Sequence, residues 1–428
     1  MEEKQTPIWM ENGKLNEVAF AKEFLQKHQM VCCDGAFFSR EGRITDERLL
    51  RRAIYRMLQD HVHTGVSRKV EGILSTMRLA CSHKNLPLDP LVIHLANGTY
   101  DMRSYFTEEK QFCRHRLPVR FLPDAQPPET WLNFLDELLY PEDIVTLQEF
   151  MGYCLVPTTK AQKMLIITGR GGEGKSRIGV VMKAIFGSNM SVGSLAKVEN
   201  SPFARADLEH LLVMVDDDLQ MEGLSSTNYL KSIITSELPM DLERKGEQSY
   251  QGQLVARFMA FGNSTLRSVY DHSLGFFRRQ IILSTIPRPA DRVDDPELGE
   301  KLIAEKDGIF MWCLLGLFRL MHNDFRFTIS QRAMENLTKA RTEDNNILSF
   351  LSSEGYIKFD YHASATSRQL YSVYRDWCED NATRALSDRT FWSYLREHTI
   401  DLGLDYTNTI PIGNGRYARG FKGIGLCQ

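Results

Sequence analysis

Eight consecutive residues, Gly169-Arg170-Gly171-Gly172-Glu173-Gly174-Lys175-Ser176, fit the spacing G-x-x-x-x-G-K-[ST]. Each residue type there has a task in holding a triphosphate. The glycines let backbone N–H groups curl around a phosphate, and a helix beginning at the end of the loop adds positive potential. Lys175 has the reach to touch β- and γ-phosphate oxygens, Ser176 is the hydroxyl expected on Mg²⁺, and Arg177 opens the helix beside them. Forty-two residues after Lys175, the apolar run Leu211–Val215 ends in Asp216-Asp217-Asp218. Adjacent carboxylates repel one another unless a cation sits among them, so the pair Asp217 and Asp218 is expected to support the metal, through Asp217, and to orient an attacking water, with the water-orienting carboxylate left open by the sequence. Read alone, the same three residues also describe a solvated acidic loop. A further apolar run ends in Asn263, a residue type that serves either as a hydrogen-bonding contact to the γ-phosphate or as a turn former. Arg278-Arg279 precedes the run QIILST and reads either as a surface charge patch or as an arginine finger. A finger acts from a neighbouring copy, which would place the active site between subunits of a ring.

These groups need rigid elements to bring them together, and the hydrophobic pattern supplies them. MLIITG, LLVMV, LVARFMAFGN and RQIILST read as apolar strands, and amphipathic helices fall after Lys175 and near Tyr229. Such alternation predicts an α/β core, a mainly parallel sheet with helices on both faces. Residues 1–130 read as a mostly helical N-terminal domain: LNEVAFAKEFLQ and ERLLRRAIYRMLQ carry helical spacing, a small hairpin interrupts them at VCCDGAFFSREGR, and LVIHLANGTYDM reads as a strand and turn. The core is expected over 131–330, with PRPADRVDDPEL as a loop and Gly299–Asn323 as a helical lid. Residues 341–428 show helical segments NNILSFLSSEG, SRQLYSVYRDWCEDN and SDRTFWSYLREHT, then a glycine-rich hairpin, which predicts a winged-helix-like domain.

The ordered set of phosphate loop, acidic strand end, Glu243-Arg244-Lys245-Gly246, strand ending in Asn263, and Phe277-Arg278-Arg279 resembles the ATPase core of superfamily 3 helicases, most closely the helicase part of the phage and plasmid primase-helicase family. The spacing is short, with 88 residues from Lys175 to Asn263 and 103 to Arg278. Upstream, HLANGTYDM and PPETWLNFLDEL resemble the domain that precedes this core in phage and poxvirus primase-helicases; downstream, LYSVYRDWCEDN and SDRTFWSYLRE resemble the C-terminal winged-helix-like domain. The resemblance implies an AAA+-like P-loop ATPase, a hexameric ring, ATP and Mg²⁺ as cofactors, and single-stranded or forked DNA as partner. It also implies a pore hairpin whose phosphate-gripping lysine is Lys245, with Arg244 beside it. Unaided by the resemblance, Glu-Arg-Lys-Gly reads as an exposed turn. The family often places Glu in the acidic pair where this chain has only Asp, and residues 1–130 offer neither paired metal-binding aspartates nor a zinc motif for primer synthesis. No primer synthesis is therefore expected from this polypeptide, and a separate primase or polymerase is a candidate partner.

Composition excludes several other classes. The chain has 428 residues, 43% of them apolar and 25% charged, which is ordinary for a multidomain globular protein. Its net charge of −3 offers no global field for nucleic acid, so DNA contact has to be local, as repeated copies of Arg244 and Lys245 around a pore would provide. The eight cysteines lack any C-x-x-C pair, which argues against a zinc ribbon and suits a reducing compartment, here the cytoplasm of a bacterial host. The N-terminus has no apolar signal core and no run approaches the length of a membrane span. The leading expectation is an ATP-hydrolysing replicative DNA helicase of a phage, plasmid or integrated element. The alternatives are an ATP-switched initiator or loader that binds origin DNA, with Arg416, Tyr417, Arg419, Phe421 and Lys422 as its wing, and a ring ATPase acting on protein.

Overall fold

The structure, a computed structural model, describes residues 7–83, 85–219, 224, 226–235, 238–266, 274–344, 346–383, 385–413 and 415–427. The chain divides into two compact units between Met334 and Glu335.

The first unit is organised by a five-stranded parallel sheet of β1 (Met164–Thr168), β2 (Met190–Val192), β3 (Val213–Leu219), β4 (Arg257–Gly262) and β5 (Gln280–Ser284). The spatial order is β2-β3-β4-β1-β5. Met164 to Ile167 of β1 and every residue of β4 are buried, as expected of strands covered on both faces. That is why Met164–Ile167 and Phe258–Phe261 read as unbroken apolar runs rather than alternating ones. Helix α1 (Ser176–Phe186) leaves the C-terminal end of β1 and turns Ile178, Val181, Met182 and Ile185 into the core. Further support comes from helices Pro141–Tyr153 and Lys306–His322, which cross at very close range. A Cβ at Gly152 would sit 2.4 Å from the Cys313 carbonyl oxygen, and one at Gly316 would sit 2.3 Å from that of Gln148. No helix among the described residues is long and apolar enough to cross a membrane.

Ahead of the sheet, helices Glu17–His28, Glu47–Leu58 and Val66–Ala80 enclose a small core of their own around Trp9, Phe20, Phe24, Ile54 and Leu74. The hairpin Val92–Leu95 with Gly98–Asp101 belongs elsewhere: Ile93, Leu95 and Tyr100 join the central core beside Trp131 and Phe150. The separate N-terminal core is thus complete by residue 77, and the segment from 93 to 121 is part of the body that carries the sheet.

The second unit packs helices Asn346–Leu351, Ser367–Asp380 and Asp388–Glu397 on an antiparallel sheet of Ile357–Thr366, Tyr417–Leu426 and Asp405–Pro411, with Tyr417–Leu426 in the middle. Phe350, Tyr374, Trp377, Phe391 and Phe421 fill its core. Thr366 and Gln369 form a reciprocal capping box that starts the second of these helices. Strand Ile357–Thr366 escapes sequence reading for a visible reason. Only Ile357, Ala365 and Thr366 are buried along it, and its register shifts between Phe359 and Ser364, so no alternating pattern survives.

Candidate active site

The loop 169–175 joins the C-terminal end of β1 to the first turn of α1. Gly171, Gly172 and Gly174 all have positive φ (102°, 78° and 108°), a conformation that side chains beyond glycine resist, so the sequence of small residues permits this tight wrap. Strand β1 also lies where chain connections diverge, between β4 on one side and β5 on the other, the place where parallel sheets open a crevice at their C-terminal edge. A cavity of about 610 Å³ occupies it.

The cavity gathers most of the residues singled out by sequence. Gly171, Gly172, Gly174, Lys175, Ser176 and Arg177 line it from the loop and α1, Asp217 and Asp218 from the end of β3, and Asn263 from the residue after β4. Gly169 and Glu173 are absent from the lining. Asp216 is separated from its neighbours by burial: its carboxylate accepts the Leu195 N–H at 2.8 Å, and desolvation raises its pKa. It therefore anchors helix Leu195–Asn200, while Asp217 and Asp218 are exposed on the cavity.

Glu173 does something the motif alone does not disclose. Only 2% exposed, its carboxylate accepts the backbone N–H of Arg170 and of Gly171 and the Lys175 ammonium at 2.9 Å. Burial alone would raise its pKa, yet the bonds from Lys175 and the loop amides outweigh that and hold it below the ordinary carboxylate value. The loop thus carries an internal counter-ion for its own lysine. Among the described residues no three His, Cys, Asp or Glu side chains converge into a closed cation cage. A hydroxyl at Ser176 and carboxylates at Asp217 and Asp218 on one cavity do fit Mg²⁺, which takes few protein oxygens and fills its shell with phosphate and water.

Between β3 and β4 the chain forms an antiparallel hairpin, Met240–Leu242 with Tyr250–Gly252. Lys245 is exposed on its loop, next to Gly246, whose φ of 81° and open surroundings make the turn. Arg244 is drawn inward instead. Its guanidinium is held by the buried carboxylate of Glu209, which also accepts the Tyr250 hydroxyl at 2.7 Å. One carboxylate therefore ties both legs of the hairpin. Burial and then Glu209 push the Tyr250 phenol up, so it remains a donor. No local sequence signal marks Glu209, which lies 35 residues before Arg244 and 41 before Tyr250.

Arg278 and Arg279 stand apart from the cavity. They precede β5, and Arg279 N–H and C=O are engaged by Phe276 and Met164 at the N-terminal edge of the sheet. The length of β5, about 16 Å, separates them from the edge that carries the loop. Arg278 is exposed, and the Arg279 guanidinium donates to the Gly275 carbonyl. Two other arginines reach the cavity. Arg288 and Arg292, from the segment read as a Pro- and Asp-rich loop, line the cavity together with Asp294, Asp295, Pro296 and Leu298.

A model of a family of unknown function, DUF5906, matches residues 167–279, a stretch that begins in the last strand residues before the loop and ends at Arg279. Similar solved structures include three apo structures of the NrS-1 C-terminal region: one has a TM-score of 0.54 at 13% identity, over 96% of this chain and 99% of that one. Another, in an A form, has a TM-score of 0.52 at 13% identity, over 94% of this chain and 98% of that one. A second A-form structure gives 0.54 at 11% identity, over 95% and 99%. The chain shares the fold of the NrS-1 C-terminal region over nearly its whole length.

Proposed function

We propose that the chain is an ATP-dependent DNA helicase of the superfamily 3 type, a replication motor of a phage, plasmid or integrated element that works as a ring, six copies by the resemblance, on single-stranded and forked DNA. The observation that carries this reading is one cavity lined by the glycine loop, Lys175, Ser176, Asp217, Asp218 and Asn263, with an exposed-lysine hairpin inserted between the two strands that deliver the carboxylates and the asparagine. Fold likeness to the NrS-1 C-terminal region is compatible with it.

In this reading the first unit holds an AAA+-like P-loop core. Loop amides and Lys175 bind the β- and γ-phosphates, and Lys175 leaves Glu173 in part to do so. Ser176 and Asp217 hold Mg²⁺, which when bound neutralises phosphate oxygens. Asp218 orients the attacking water, and Asn263 hydrogen-bonds that water or the terminal phosphate. Arg278, exposed at the opposite edge of its own sheet, and Arg279 beside it complete the site of the next copy. Lys245 grips the DNA backbone, while Arg244 sets the hairpin's shape through Glu209. The C-terminal unit acts as a winged-helix-like module, and primers come from a separate primase or polymerase in a bacterial cytoplasm.

A second reading, an ATP-switched initiator or loader, is favoured by one feature: Arg419 and Lys422 are exposed on the middle strand of the C-terminal sheet. DNA-stimulated ATP hydrolysis after truncation at Arg341 separates the two. A helicase retains the stimulation through its core, whereas an origin binder loses it.

A further inference from the structure

We propose that Arg288 is the residue of the same subunit that contacts the terminal phosphate of the bound nucleotide, so that it distinguishes a triphosphate from a diphosphate. This deepens the nucleotide-site reading above and rests on it.

Residues 286–297 leave β5 as a strap without helix or strand and end where helix Leu298–Ala304 begins. The strap is fixed at its start, where the Ile286 N–H donates to the Leu138 carbonyl at 2.9 Å. Its middle lies over the phosphate loop. The Arg288 guanidinium donates to the Gly172 carbonyl at 3.1 Å, to the Arg292 carbonyl at 3.2 Å and to the Asp294 carboxylate at 3.1 Å. Arg292 donates to the Glu173 carbonyl at 3.0 Å. Of the four bonds, three end on neutral carbonyls, and the fourth ends on an aspartate whose side chain is 66% exposed. A guanidinium gains more from a phosphate than from a carbonyl, since charge-assisted bonds are roughly twice as strong and the planar fork matches two phosphate oxygens.

Position decides which phosphate. A Cβ built on Gly172 would lie 3.4 Å from Arg288 Nη1, and one built on Gly171 would lie 3.8 Å from Asn263 Oδ1. The Arg288 fork and the Asn263 amide therefore flank the same two glycines, in the middle of the loop and three and four residues ahead of Lys175. A polyphosphate whose middle group sits on Lys175 and the helix start has its last phosphate between them. Arg177, Pro296 and Leu298, which line the same cavity from α1 and from where the strap ends, remain for the sugar and base. Arg292, bound to the loop's own backbone, is a positioning residue that keeps the strap closed.

The test uses the full chain and fluorescent N-methylanthraniloyl derivatives of ATPγS and ADP. Arg288→Ala is expected to weaken the triphosphate about tenfold while ADP affinity stays within about twofold of wild type. Arg288→Lys, which keeps charge but loses the fork, should fall between. A triphosphate-to-diphosphate affinity ratio that Arg288→Ala leaves unchanged, whether because neither affinity moves or because both fall together, overturns the proposal while the nucleotide site stands. If wild type binds neither probe, or Lys175→Ala binds both as well as wild type does, the nucleotide site itself fails and this proposal goes with it.

Discussion

Removing the Glu209 carboxylate tests whether the hairpin is held from below. In Glu209→Ala both the Arg244 guanidinium and the Tyr250 hydroxyl lose the acceptor that joins the hairpin's two legs. Hydrogen bonds to a charged group contribute about 1.5–3 kcal/mol each. The Tyr250 bond, made to a side chain only 6% exposed, should fall within that range. Arg244 is 34% exposed, so its bond is screened and taken at about 1 kcal/mol. The hairpin then opens more easily by about 2.5–4 kcal/mol, which raises amide exchange roughly 70- to 1,000-fold. Hydrogen exchange read by mass spectrometry on a peptide spanning 240–252 measures this directly. Peptides from β1 and α1 should keep wild-type rates, and unwinding should fall while ATP hydrolysis persists. The reasoning is refuted if exchange over 240–252 changes less than threefold, or if β1 and α1 speed up by the same factor, which would mean the whole unit had loosened.

Other expectations follow from the same geometry. Lys245→Ala should abolish unwinding and leave basal ATPase intact, measured side by side on the same preparation; intact unwinding removes Lys245 from the DNA path. At least one of Arg278→Ala and Arg279→Ala should bind nucleotide, fail to turn it over, and inhibit wild type when mixed with it, whereas full activity in both would end the role in a neighbour's site. Glu173→Gln should destabilise the nucleotide-free protein by about 3 kcal/mol, because it leaves a buried lysine without its counter-ion. The Glu173 pKa is depressed in the folded chain, so its contribution is complete above the ordinary value of 4.5 and disappears as pH falls through the lower folded value. Denaturant melts of wild type and Glu173→Gln should therefore converge on acidification, and a constant gap down to the lowest pH at which the fold survives would contradict the pairing.

What the sequence discloses and what it hides divide along locality. The loop from Gly169 to Ser176 is readable because the phosphate grip proposed for it demands consecutive residues of fixed type. The strands β1, β3, β4 and β5 are readable because each carries a consecutive buried apolar stretch, at Met164–Ile167, Val213–Val215, Phe258–Phe261 and Ile281–Leu283. Strand β2 has only Met190–Val192, too short to show a period. The roles of Glu173, Glu209 and Arg288 depend on partners brought close by folding, and no spacing rule reports those. Arg288 did leave a trace: two cations four residues apart, Arg288 and Arg292, in a Pro- and Asp-rich tract directly after the strand beside β1. The tract reads as a connector because its composition resists helix and strand, and the same lack of regular structure lets it lie over the loop. Arg244 illustrates the opposite case, since the resemblance pairs it with Lys245 whereas folding gives the two different environments.

The most direct test of the central claim is ATP-dependent unwinding of a forked DNA duplex by the purified chain, run beside Lys175→Ala. Strand separation by wild type that is lost in Lys175→Ala is the predicted result. A wild type that hydrolyses ATP but never separates the strands would contradict the motor reading and leave the initiator or loader in its place.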